Sequence, residues 1–391
     1  MELGWIDFSK SDRNKVFNVL SLLSEEGVLD ELGIAPIRDA FSNIFFPGIT
    51  TVQTRAKYFL IVPYAFRDLE LGGITDVSGL EDELERIEKE SAILMFNKNS
   101  EESGIIGSST IPKGWVQRPP SSVYLAGLRT YGIFKRGVSL NAYLKQISKV
   151  NKEKVNFSNS ENQNSDDEGY RDDRNAGDRL SLGILNIISH ENWMEDLTIN
   201  LTREEGDFLK RQIISNCPKS LIAFILENNI NISEIDSFYD FQSIELPIHL
   251  QKYYDMAIEF SEFNHALAVI YNLIASQNKN KEALKEYDKL DFCELSKINI
   301  DEIMNELNVK NPMLKSFLNS SKQQMKNNDM DGLKENIINR EKKLKTVSRS
   351  RLSNPSEVDS GKWYAGGKLD YRFGIAKDII TDIFGSETYG E

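Results

Sequence analysis

A chain of 391 residues, 40% hydrophobic and 27% charged, has a globular composition and room for two or three domains. Its formal charge of −13 argues against nonspecific coating of nucleic acid and leaves only local basic patches for such a role. Cys217, Cys293 and three scattered histidines offer no usual zinc spacing, so no metal or other cofactor is expected.

The opening MELGWIDFSK lacks a basic stretch followed by an apolar run. The longest charge-free apolar run, Tyr58 to Phe66, is about half of what spans a bilayer. A cytoplasmic protein without membrane contact is expected.

The pattern predicts a mainly α protein. A helix opens at Ser9 or Ser11 with Val16, Phe17, Leu20 and Leu23 on one stripe, and Gly27 stops it. The next carries Pro36 in its first turn and Ile34, Ile37, Phe41, Ile44 and Phe45 on one face, and Pro47-Gly48 breaks it. A third runs from about Thr50, apolar all round, until Pro63 kinks or ends it. Leu80 to Phe96 reads as an amphipathic surface helix with an i,i+4 pair at Glu85 and Lys89. A loop or short hairpin over 100–120 and a helix from Ser122 to Phe134 follow, with room for one small β element in this half.

Residues 151–180 are polar with an acidic excess and read as a disordered insert or linker. They separate an N-terminal helical domain, 1–150, from a C-terminal helical domain, 181–391. Asp166, Asp167 and Glu168 lack the alternating spacing of a calcium loop. Thr202 with Glu205 forms a capping box opening a helix to Asn216, and Pro218 starts another. Pro247 to Gln277 is the longest candidate, followed by helices at 281–289, 300–308, 312–325, 330–346 and Ile375 to Phe384.

The opening GWIDFSKSDR and the stretch LLSEEGVLDELGIAPIRDAFSNIFFPGITTVQTRAKYFLIVPY together resemble the domain of unknown function 6361 family, over about residues 3 to 68. The block from Tyr124-Leu125-Ala126-Gly127-Leu128 to Gly132-Ile133 looks like it too. Asn43 stands where an acidic residue is common, and Gly48-Ile49-Thr50-Thr51 only partly matches the small hydroxyl residues after Pro-Gly. The resemblance implies a component of antiphage loci of the Azaca kind, which also encode a helicase and a phospholipase-D-type nuclease. It brings no catalytic residues with it.

Two constellations stand out. Arg38, Asp39, Arg55, Lys57 and Arg67 are embedded in apolar sequence, where a charge must be paired or open to a groove. On one helix Arg55 and Lys57 would stand about 200° apart, so they do not serve a single patch. An ion-pair network is the plain reading. A phosphate clamp, or an enzyme site around Arg38, Asp39 and Arg55 of a nuclease or nucleotide-directed kind, are the alternatives. The second is the basic segment from Arg340 to Arg351, six cations and one acid, with Lys342, Lys343, Lys345, Arg349 and Arg351, followed by Trp363, Tyr364 and Arg372. Cations beside aromatics and glycines suit a phosphate backbone and unstacked bases; the alternative is a solvated helix end with its aromatics docked on the last helix.

His265 reads as a hydrogen-bonded core or rim histidine, and neither His190 nor His249 stands at metal-ligand spacing. There is no GxxxxGK[ST] loop, HxK, HExxH or GxSxG motif. The resulting expectation is a non-catalytic defence component that binds DNA, RNA or its helicase and nuclease partners, or a purely structural scaffold subunit.

Overall fold

The computed structural model describes residues 30–98, 102–111, 114–161, 181–188, 192–345, 349–354 and 358–387. Among them the regular secondary structure is helical, and the β content is one antiparallel bridge between Phe134 and Ile184. The helix expected over residues 9–23 lies outside the described residues, as do Asp166, Asp167, Glu168 and His190.

The chain forms two compact units, and each is discontinuous. One comprises Met1–Phe41 and Glu245–Tyr371, the other Ser42–Ile244 and Arg372–Glu391. This differs from the boundary expected at 151–180. Part of that stretch is helical, because the Leu140–Glu161 helix continues into it. Tyr143, Leu144 and Ile147 bury one stripe of this helix, and once nucleated it propagates through polar residues.

The first unit is built on the Ile248–Ala275 helix, whose second half is buried on nearly every side. The Lys281–Tyr287 and Met330–Leu344 helices pack against it, and Pro312–Lys326 packs on the latter. Asparagines and aspartates open the shorter helices: Asn280, Asn299, Asn311 and Asp329 each accept a backbone N–H of the first turn. The irregular stretch from Lys362 to Tyr371 runs along the Ile248–Ala275 helix. Main-chain groups there require partners, and side chains of the helix, with Asn280 just beyond it, supply them. Asn272 both donates to Tyr364 O and accepts from its N–H at 2.6 Å. Asn280 donates to Lys362 O, Asn264 to Gly367 O, and Ser261 Oγ accepts from Leu369 N–H at 2.7 Å.

The second unit has the Tyr58–Leu71 helix at its centre, buried without interruption from Tyr58 to Phe66. This helix begins eight residues later than expected. Residues 50–57 form turns instead, in which Gln53 donates to Gly48 O and accepts from Thr50 N–H. Tyr124 OH accepts from the N–H groups of Thr54 and Arg55 and donates to Arg55 O. Pro63 does not end the helix, which carries it inside and runs on to Leu71. Packing on all faces outweighs the hydrogen bond lost at proline, about 3 kcal/mol.

Gly48 has φ of +82°, the left-handed region that favours glycine, and it closes the turn after Phe45. A Cβ on Gly127 would meet Gly48 O at 2.6 Å, so a bare backbone lets the Pro120–Thr130 helix come this close. On the Val77–Lys98 helix the exposed ion pairs are Arg86 with Glu83 and with Glu90.

Candidate nucleic-acid interface

The Met330–Leu344 helix buries Leu333, Ile337, Arg340 and Glu341, spacings of four, three and one that trace one face. Lys342 and Lys343 therefore fall on the outer side and are exposed. Glu341, completely buried, is the anchor of the segment that follows. Its Oε1 accepts from Tyr271 OH at 2.7 Å, Lys345 Nζ at 3.2 Å and Arg351 N–H at 3.2 Å. Its Oε2 accepts from Ser350 Oγ at 2.7 Å and Leu352 N–H at 3.0 Å. A buried carboxyl group with that many donors has its acceptor capacity filled and fixes the chain around it.

The cations of this segment divide into two groups. Arg340 is buried, donates to Leu32 O at 2.8 Å and Gly33 O at 3.2 Å, and lies over the Phe317 ring. Lys345 and Arg351 both pair with Glu31, itself buried, and Arg351 also covers the Tyr364 ring at 4.7 Å. These three hold the acidic segment that precedes the Ala35–Phe45 helix. Lys342, Lys343 and Arg349 remain exposed.

The aromatic half of the expected surface is occupied. Trp363 stacks on His265 with ring centroids 6.1 Å apart, donates its indole N–H to Gly366 O, and packs against Val269, Leu273 and Ala283. It docks on the Ile248–Ala275 helix and not on the last helix, because the asparagine contacts hold its loop there. His265 is a buried histidine whose Nε2 lies 3.4 Å from Glu286, a hydrogen-bonded core position. Arg372 belongs to the other unit, where it donates to Asn43 Oδ1 and Ile49 O at 3.0 and 2.9 Å.

The N-terminal constellation separates as well. Arg38 pairs with its neighbour Asp39 at 3.2 Å, both half-exposed. Arg55 and Lys57 precede the helix and meet different carboxylates. Arg55 Nε donates to Asp382 at 3.0 Å, Nη1 to Glu102 at 3.2 Å and Ser103 O at 3.1 Å, and Nη2 to Asn200 at 2.9 Å. Burial on its own would lower the guanidinium pKa; the bonds to Asp382 and Glu102 outweigh it, and the pKa is raised. All three nitrogens of the fork are engaged, which opposes an enzyme site using Arg55.

Lys57 Nζ lies 2.6 and 2.8 Å from the carboxylate of Glu205, and both side chains are buried. Glu205 is the capping-box residue, accepting from Thr202 N–H at 2.8 Å. Arg67 is half-buried beside Asp68, whose carboxylate accepts from the Trp193 indole. The partners Asp382, Glu102, Asn200 and Glu205 escaped the sequence reading, and only the capping box gave any sign of one of them.

No helix among the described residues is long and apolar enough to cross a membrane. The described residues contain no group of three histidines, cysteines or acids that could hold a metal ion. No curated protein and no solved structure matches the chain. A model of a family of unknown function, DUF6361, matches residues 1–164, so the N-terminal part of the chain is similar to this family.

Proposed function

We propose that the protein is a non-catalytic, cytoplasmic component of a bacterial antiphage defence system, and that it binds nucleic acid beside a helicase and a phospholipase-D-type nuclease of the same locus. The defence setting rests on the resemblance of the N-terminal residues. The binding role rests on one observation: Lys342, Lys343 and Arg349 stand exposed on a segment that Glu341 fixes from within. Cations on a fixed backbone meet phosphates without a further ordering penalty, and phosphate contacts need no particular base sequence.

The test is fluorescence anisotropy with labelled duplex DNA, single-stranded DNA and RNA over a salt series. Lys342→Ala, Lys343→Ala and Arg349→Ala together should weaken binding and lower the slope of log K against log salt by about 2 to 3. A slope and affinity equal to wild type would remove this surface from the account.

A further inference from the structure

The outer face of the Leu140–Glu161 helix lies inside the family-matched residues and forms a second charged surface. Between positions 135 and 154 the chain carries Lys135, Arg136, Lys145, Lys149, Lys152 and Lys154 against a single acid, Glu153. That local excess of five positive charges (six minus one) stands in a chain of net −13.

Lys145, Lys149 and Lys152 are spaced i, i+4, i+7. At 100° per residue they fall within an arc of about 60°, and at 1.5 Å rise they spread over about 10 Å of helix axis. Asn156 shares the arc, and these four residues are exposed, so the stripe contains cations and an amide but no carboxylate. Lys149 is 77% exposed and comes within 4.0 Å of Glu153 beside the stripe, which is a loose contact. Lys135 and Arg136 are exposed in the turn that enters the helix.

The opposite face is pinned. Tyr143 OH donates to Glu70 at 2.6 Å, Ser148 Oγ to Thr75 O at 2.6 Å, and Asn151 Nδ2 to Ile74 O at 2.9 Å. The stripe is therefore held at a fixed orientation. A merely solvated helix face mixes signs, and the Val77–Lys98 helix shows that pattern, with Arg86 set between Glu83 and Glu90.

We infer that Lys145, Lys149 and Lys152 form a second contact for the phosphate backbone of a nucleic acid, carried by the family-matched part of the chain. The inference rests on the nucleic-acid reading above but uses different residues. Three point charges at one-turn spacing, with no aromatic among them, suit backbone phosphates and not base edges.

The experiment compares two triple variants of the full chain, Lys145→Ala/Lys149→Ala/Lys152→Ala and Lys342→Ala/Lys343→Ala/Arg349→Ala. Each is titrated against duplex DNA, single-stranded DNA and RNA of equal length, with circular dichroism to confirm folding. The first variant should bind about tenfold or more weakly at moderate salt, with a slope lower by about 2.7 on duplex and about 2 on a single strand. The charge-keeping Lys145→Arg/Lys149→Arg/Lys152→Arg variant should retain binding. If only the second variant loses affinity, the stripe is not a contact, while the nucleic-acid reading stands. If wild type binds none of the three polymers at low salt, both fall. Unchanged nucleic-acid affinity with loss of a copurifying protein would make the stripe a protein-docking face and overturn the inference.

Discussion

Replacing Lys57 with methionine should lower the unfolding free energy by about 3–5 kcal/mol, because it leaves a buried carboxylate without its counter-charge. Lys57 and Glu205 are 6% and 5% exposed at the side chain, and their closest approach is 2.6 Å. Glu205 keeps the Thr202 N–H when the ammonium is gone, but one such bond does not balance a buried anion. Glu205→Gln should be destabilising in the same way, since it strands the ammonium. The double variant Lys57→Met/Glu205→Gln removes both charges and should be more stable than the two single losses added together predict. The measurement is urea unfolding of all four proteins, with the coupling energy taken from the cycle. Additive losses, or single losses within about 0.5 kcal/mol of wild type, would mean the pair is not what holds these elements together.

The second large effect is on pH dependence. Glu88 is 2% exposed in the Val77–Lys98 helix, and its carboxylate accepts from Ser121 N–H at 2.5 Å. Burial pushes its pKa from 4.5 up to about 7, against the Ser121 bond, which lowers it; nearby Glu85 adds to the rise. A raised acid pKa means that between about 4.5 and 7 the folded chain holds a proton that the unfolded chain has released. The contribution is therefore fully favourable below the unfolded value and declines as pH rises, by on the order of 3 kcal/mol at pH 8. Glu88→Gln keeps an acceptor for Ser121 and does not titrate. It should be close to wild type at pH 5 and clearly more stable at pH 8. Thermal melts of both proteins from pH 5 to 8 measure the difference, and parallel curves would show that Glu88 titrates normally.

Much of the architecture was legible because its signals are local. The apolar spacing along Pro247 to Gln277 and the Thr202–Glu205 capping box mark helices within a few residues of where they stand. The Leu140–Glu161 helix was missed because its second half has few apolar residues, and its buried stripe is short. The start at Tyr58 is not legible, because Tyr124, 70 positions after Thr54, satisfies the backbone that a helix would otherwise have paired.

The candidate site was less legible for the same reason. Composition marked the segment from Arg340 to Arg351 as basic. It gave no sign that Glu31, some 320 positions earlier, pairs with Lys345 and Arg351. Arg55 and Asp382 are likewise 327 apart, and no periodicity links them. Only tertiary packing separates the cations that build the protein from those left to act on its surface.

The most direct measurement of that separation is Arg55→Lys, assayed for both stability and nucleic-acid binding at a temperature where the variant is folded. Lysine keeps the charge but loses the fork that reaches Asp382, Glu102 and Asn200 together. A structural Arg55 predicts a lower melting temperature with affinity within about twofold of wild type. An affinity loss of about tenfold with an unchanged melting temperature would place Arg55 in the binding machinery and contradict the account.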